Sequence, residues 1–132
     1  MELTVMIDCS RNAVMKPEMV KEFAGIIKNM GYTGLMLYTE DTYEVENEPY
    51  FGYMRGVYTK EDIKKIDDYG YDYGIEVIPC IECYGHMEKY IVWGEASNIA
   101  DTSSVLLARE EKTFEFLDEL IETASSCVRS KR

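Results

Sequence analysis

Apolar positions along this chain fall into two rhythms that take turns. Leu3 to Ile7 is a short apolar run rich in β-forming residues, and it ends in the polar cluster Asp8-Cys9-Ser10-Arg11-Asn12. Such a run predicts a strand buried on both faces. Pro17 then stands where a first helical turn accepts proline, and Val20, Phe23, Ala24, Ile27 and Met30 follow at helical spacing up to Gly31. The layout recurs with Gly34 to Tyr38, a second strand ending in Thr39-Glu40-Asp41-Thr42. The stretch 43–58 sets Tyr43, Tyr50, Phe51, Tyr53 and Tyr58 among acids, with turns marked by Pro49, Gly52 and Gly56, and reads as a shaped loop. Thr59 is an N-cap with Asp62 following, and Ile63, Ile66, Gly70 and Tyr73 trace the inner face of a second helix up to Gly74.

Ile75 to Ile81 is the third strand, running into Glu82-Cys83-Tyr84-Gly85-His86. Residues 87–104 are mixed in character. A last helix is predicted from about Ala108 to Val128, with Phe114, Leu117, Leu120, Ile121, Ala124 and Val128 as its apolar stripe. Strand and helix alternating with short turns imply an α/β fold of parallel strands joined by right-handed crossovers. In such folds ligands gather at the C-terminal ends of the strands, and all three polar clusters fall there.

At 132 residues the chain is read as one domain, with 46% hydrophobic and 30% charged residues, a globular composition. A formal charge of -11 repels phosphate backbones and anionic headgroups, so nucleic acid and membrane partners are not expected. No run approaches a membrane span, and MELTVMIDCS lacks the basic and apolar regions of a signal peptide, so a cytoplasmic location is expected. Cys80 and Cys83 form a CxxC spacing. Lying in an apolar strand without a second pair, they are read as buried thiols and not as a redox or zinc site.

The clusters bring Asp8 and Arg11, Glu40 and Asp41, and Glu82 and His86 toward one mouth. Carboxylates and guanidinium groups hydrogen-bond hydroxyl pairs, and aromatic faces stack on the C–H surface of a sugar ring, for which Tyr84, Trp93 and the loop tyrosines are available. Taken singly, each residue has a plainer explanation: strand ends are wet, Asp8 caps a turn, and His86 is a loop histidine. A metal-dependent sugar isomerase or epimerase barrel using Glu40, Asp41, Glu82 and His86 as ligands is a competing reading, as is a non-catalytic carbohydrate-binding module.

Three motifs go further: Met6-Ile7-Asp8-Cys9-Ser10-Arg11, Tyr38-Thr39-Glu40-Asp41, and Ile78-Pro79-Cys80-Ile81-Glu82-Cys83-Tyr84-Gly85-His86. On these the chain resembles family 20 glycoside hydrolases, the β-N-acetylhexosaminidases, and within them the hexosaminidase D-like subgroup. The resemblance implies that residues 1–132 are one segment of a catalytic domain, a partial TIM (β/α)8 barrel of about three parallel βα units. It implies that Arg11 grips hydroxyls of a terminal N-acetylhexosamine, that His86 lines the sugar site, and that Glu82 supports it. Glu40 stands where the family more usually has Asp. The implied substrate-binding set is Asp8, Arg11, Glu40, Asp41, Glu82, His86 and Trp93, with no cofactor and no metal.

The family's mechanism is substrate-assisted: the 2-acetamido oxygen attacks the anomeric carbon, an Asp orients the amide, and the adjacent Glu is the general acid. That pair follows the fourth strand. Asp118-Glu119 is the only Asp-Glu dipeptide here and falls inside the last predicted helix, so it is not read as the pair, which is expected beyond Arg132. The isolated chain is therefore expected to bind part of a hexosamine without hydrolysing it, and to self-associate through open sheet edges.

Overall fold

A computed structural model describes residues 2–132. It contains β1 (Thr4–Asp8), α1 (Pro17–Asn29), β2 (Gly34–Thr39), α2 (Lys60–Tyr73) and β3 (Glu76–Ile81), then a short α3 (Glu88–Ile91), a 3-10 turn (Gly94–Asn98) and α4 (Glu111–Ser126). The strands form one parallel sheet in the order β1-β2-β3. Their register aligns Val5, Leu35 and Val77 in one row and Ile7, Leu37 and Pro79 in another. Side chains alternate across a strand, so these rows share the face that packs on the helices. Leu35, Leu37 and Val77 join Val20, Ile27, Ile63, Ile66 and Leu120 in the core. The opposite face carries Met6, Met36 and Ile78, with Asp8, Tyr38 and Cys80 one row nearer the C-terminal tips.

Local chemistry sets the element ends. Thr59 and Asp62 form a reciprocal capping box at α2, with Asp62 N–H donating to Thr59 Oγ1 at 3.0 Å and Thr59 N–H to Asp62 Oδ2 at 3.1 Å. Gly74 ends the helix in the left-handed conformation at φ 64°. A Cβ on Gly70 would sit 2.5 Å from Val77 Cγ2, so α2 lies flush on β3 only because that position has no side chain. Residues 43–58 are closed at their base, where Tyr58 N–H donates to Thr42 O at 3.0 Å and Glu44 N–H to Tyr58 O at 2.9 Å. Phe51 returns from this loop to pack edge-on against Tyr43 (5.2 Å), Tyr90 (5.7 Å) and Phe116 (6.0 Å), which ties the loop to α3 and α4.

Several expectations are corrected. β1 is not buried on both faces: it is an edge strand, and Met6 is 57% exposed. Met30 follows the end of α1 and Tyr73 lies at the end of α2; both are exposed, Tyr73 resting over Gly25 between the two helices. The buried stripe of α4 is Thr113, Phe116, Leu117, Leu120, Thr123 and Ala124. Phe114 and Ile121 face out. Ranking by hydrophobicity alone hides this phase, because two threonines complete the buried face. The helix α3 and the 3-10 turn were not anticipated in the mixed stretch. No helix among the described residues is long and apolar enough to cross a membrane.

Burial pushes the phenols of Tyr43, Tyr58 and Tyr90 well above their ordinary value near 10. The folded state holds them protonated, so their contribution to stability is complete below pH 10 and is lost as pH rises beyond it. The thermal midpoint followed by circular dichroism is expected to fall steadily above pH 10; a midpoint flat to the alkaline limit would contradict the buried-phenol core.

Candidate functional site

The tip of β1 is built by Asp8. Its Oδ1 accepts the backbone N–H groups of Ser10 (2.9 Å) and Arg11 (3.1 Å), a tight turn that also holds the carboxyl below its usual range. Asp8 thus does cap a turn, as the plainer reading had it. The same turn brings Ser10 into the interior, 4% exposed, and leaves Arg11 at the surface beside Asp8 at 3.3 Å.

Glu40, one residue past β2 and only 5% exposed, is where the tips meet. Its Oε2 accepts the Ser10 hydroxyl in a close contact, and its Oε1 accepts the Tyr38 hydroxyl at 3.1 Å. Arg11 Nη2 lies 3.1 Å and His86 Nδ1 3.8 Å from the same Oε1. The Arg11 guanidinium also covers the Tyr38 ring at 4.9 Å. Burial raises the Tyr38 phenol to about 12, and the carboxylates of Glu82 and Glu40 reinforce the shift. His86 follows β3 with a left-handed backbone, φ 56°, which leaves its ring half-exposed.

Asp41 turns the other way. Its buried carboxylate pairs with Arg55, which also donates to the Ser10 carbonyl. Burial pushes the Asp41 carboxyl up against the opposing pull of the guanidinium. The neighbouring acids Glu40 and Asp41 therefore take different partners, and Ser10 links the two.

An open cavity of about 620 Å³ is lined by Ser10, Arg11, Glu40, Tyr53, Met54 and Trp93, among others. Trp93 stacks on Tyr50 at 5.6 Å and meets Tyr53 edge-on at 5.0 Å, making an aromatic wall. Of the residues expected at the site, Arg11, Glu40 and Trp93 line this cavity. Asp8 and His86 border it through Arg11 and Glu40, and Glu82 does not line it. Asp41 does not line it and is paired instead with Arg55. Ser10, Tyr38 and Arg55 were not singled out from the sequence. The first two lie inside the motifs; Arg55 comes from the loop, and nothing in the sequence links it to the strand tips.

The turning of Asp41 also separates the ligand set that an isomerase reading requires, and among the described residues no three His, Cys, Asp or Glu side chains are grouped to hold a metal. Cys80 and Cys83 are free thiols that burial makes less acidic. Asp118 and Glu119 lie within α4, where Glu119 accepts from Asn47 Nδ2 at 3.3 Å.

The profile of the glycosyl hydrolase family 20 catalytic domain matches residues 34–132. The chain belongs to this family. The fold of this family 20 chain superposes on that of the β-N-acetylhexosaminidase from Streptomyces coelicolor A3(2) with a TM-score of 0.83 at 20% identity, over 97% of the chain and 31% of that protein. The exo-β-N-acetylglucosaminidase from Vibrio harveyi, solved with N-acetylglucosamine, gives 0.85 at 17% identity, over 98% and 26%. The β-N-acetylhexosaminidase from Bacteroides fragilis gives 0.82 at 22%, over 96% and 29%. The likeness establishes the fold, α/β with three parallel strands as in part of a TIM barrel, and the chain spans about a third or less of each protein. No curated protein matches the sequence.

Glu40→Ala would strip the Ser10 and Tyr38 hydroxyls of their shared acceptor. Unsatisfied buried donors cost about 1–3 kcal/mol each, so urea unfolding is expected to show a loss of at least about 2 kcal/mol. An unchanged midpoint would remove Glu40 from the centre of the network.

Proposed function

We propose that this chain forms the hydroxyl-gripping wall of a β-N-acetylhexosaminidase site that takes a terminal N-acetylhexosamine. The carrying observation is the pairing of Arg11 with Glu40, itself held by the Tyr38 hydroxyl, in a cavity that Trp93 also lines. An exposed guanidinium beside a fixed carboxylate offers donors and an acceptor at the spacing of vicinal hydroxyls, and the indole offers a face for the ring's C–H surface. Membership of family 20 and the similarity to a relative solved with N-acetylglucosamine support an amino sugar as the ligand.

The reaction of the complete site is a retaining, substrate-assisted cleavage. The 2-acetamido oxygen closes on the anomeric carbon as a general acid protonates the leaving oxygen, and water then opens the cyclic intermediate. In this chain the Arg11 and Glu40 wall binds and orients; it has no part in proton transfer to the leaving group. The only adjacent Asp-Glu pair, Asp118-Glu119, sits on α4, so the acid and the amide-orienting group come from outside these residues. The chain alone binds without turnover. We propose also that it self-associates, the open edges of β1 and β3 and the exposed Met6 meeting a second copy.

Trp93 is the only tryptophan, so its fluorescence reports the cavity directly. N-acetylglucosamine is expected to change it saturably, and Arg11→Ala to weaken binding roughly tenfold through loss of a charged hydrogen bond. Absence of any response in the native chain would refute the sugar site. A chromogenic N-acetylglucosaminide should remain uncleaved, and cleavage that survives repurification would contradict the binding-only role. Sedimentation at micromolar concentration should show a dimer or larger; a clean monomer would refute self-association.

A further inference from the structure

The loop 43–58 reaches back to the strand tips through one side chain. Arg55, whose side chain is 21% exposed, donates through Nη1 to Asp41 and through Nη2 to the Ser10 carbonyl, with the Ser10 hydroxyl 3.4 Å away. That hydroxyl in turn donates to Glu40. Asp41 and Ser10 are both buried, so each holds its place in a low-dielectric interior where an ion pair with matched hydrogen bonds has one arrangement. The loop backbone closes on the same point: Gly52 has φ 72°, and a Cβ there would lie 2.3 Å from Asp41 O. Two independent contacts thus register the loop on Asp41. One guanidinium spans the tips of β1 and β2, which no backbone hydrogen bond beyond Cys9 N–H to Tyr38 O does.

We propose that Arg55 is a positioning residue for the sugar-binding wall: by clamping Asp41 and Ser10 it fixes the hydroxyl that orients Glu40, and Glu40 then fixes Arg11 close to His86. Arg55 itself borders the cavity, and it acts on Glu40 through Ser10. The fork geometry of arginine is what the task requires, because two nitrogens on one plane must reach two partners from different strands. Lysine supplies the charge toward Asp41 but only one point of attachment. The affinity part of this inference rests on the cavity being a sugar site; the geometric part does not.

The single histidine makes the two parts separable, since His86 Nδ1 lies 3.8 Å from Glu40 Oε1 and its ring signals report where that carboxylate sits. In the 15N-labelled full chain, Arg55→Lys and Ser10→Ala are each expected to move the His86 ring resonances. The double variant should move them no further than the larger single change, because both act on one linkage. Both should weaken N-acetylglucosamine binding, read by Trp93 fluorescence, roughly tenfold. Asp67→Asn is the control. It weakens the pair of buried Asp67 with half-exposed Arg129 near the N-terminal end of β3, and should lower thermal stability while leaving the His86 signals and sugar affinity unchanged. Unmoved His86 resonances in Arg55→Lys, or effects of the two substitutions that add in full, would overturn the inference. If the native chain binds no sugar while the His86 resonances respond as expected, the positioning role stands and the sugar reading falls.

Discussion

The structure depends on one buried carboxylate. Glu40 sits 5% exposed at the end of the central strand, and a charge in that position persists only if donors surround it. Ser10 comes from the first tip, Tyr38 from the second strand itself and Arg11 from the β1 turn, with the His86 ring of the third tip 3.8 Å away. Parallel register makes the meeting possible, since Asp8, Tyr38 and Cys80 stand in one row and the residues just beyond them share one end of the sheet. Satisfying Glu40 and assembling the site are the same physical event.

The adjacent acid shows how finely one residue step divides roles. Asp41 is as buried as Glu40, yet it belongs to the loop's anchorage through Arg55. A strand-end pair of acids therefore supplies both the site's centre and the brace that keeps the loop beside it. The loop contributes Tyr50 and Tyr53 to the Trp93 wall from one side and Phe51 to the core from the other. Its shape is set by packing on both sides.

Much of this was legible in the sequence because the relevant signals are local. Apolar periodicity located three strands and three long helices, Thr59 with Asp62 announced a capping box, and the polar clusters marked the strand tips. What stayed hidden depends on partners distant in the chain. The exposure of Met6 follows from β1 being an edge strand, and the phase of α4 from threonines that bury without being apolar. The turning of Asp41 follows from Arg55, 14 residues further on. The family motifs carried the acids as a pair, and only the fold separates them.

The central claim is that strand tips joined at Glu40 form the floor of an amino-sugar pocket. Backbone amide shifts of the 15N-labelled chain, followed as N-acetylglucosamine is added, test it most directly. The account predicts perturbations concentrated at Ser10 and Arg11, Thr39 and Glu40, Gly85 and His86, and Trp93, saturating together. Perturbations confined to residues away from these tips, or none at saturating sugar, would contradict it.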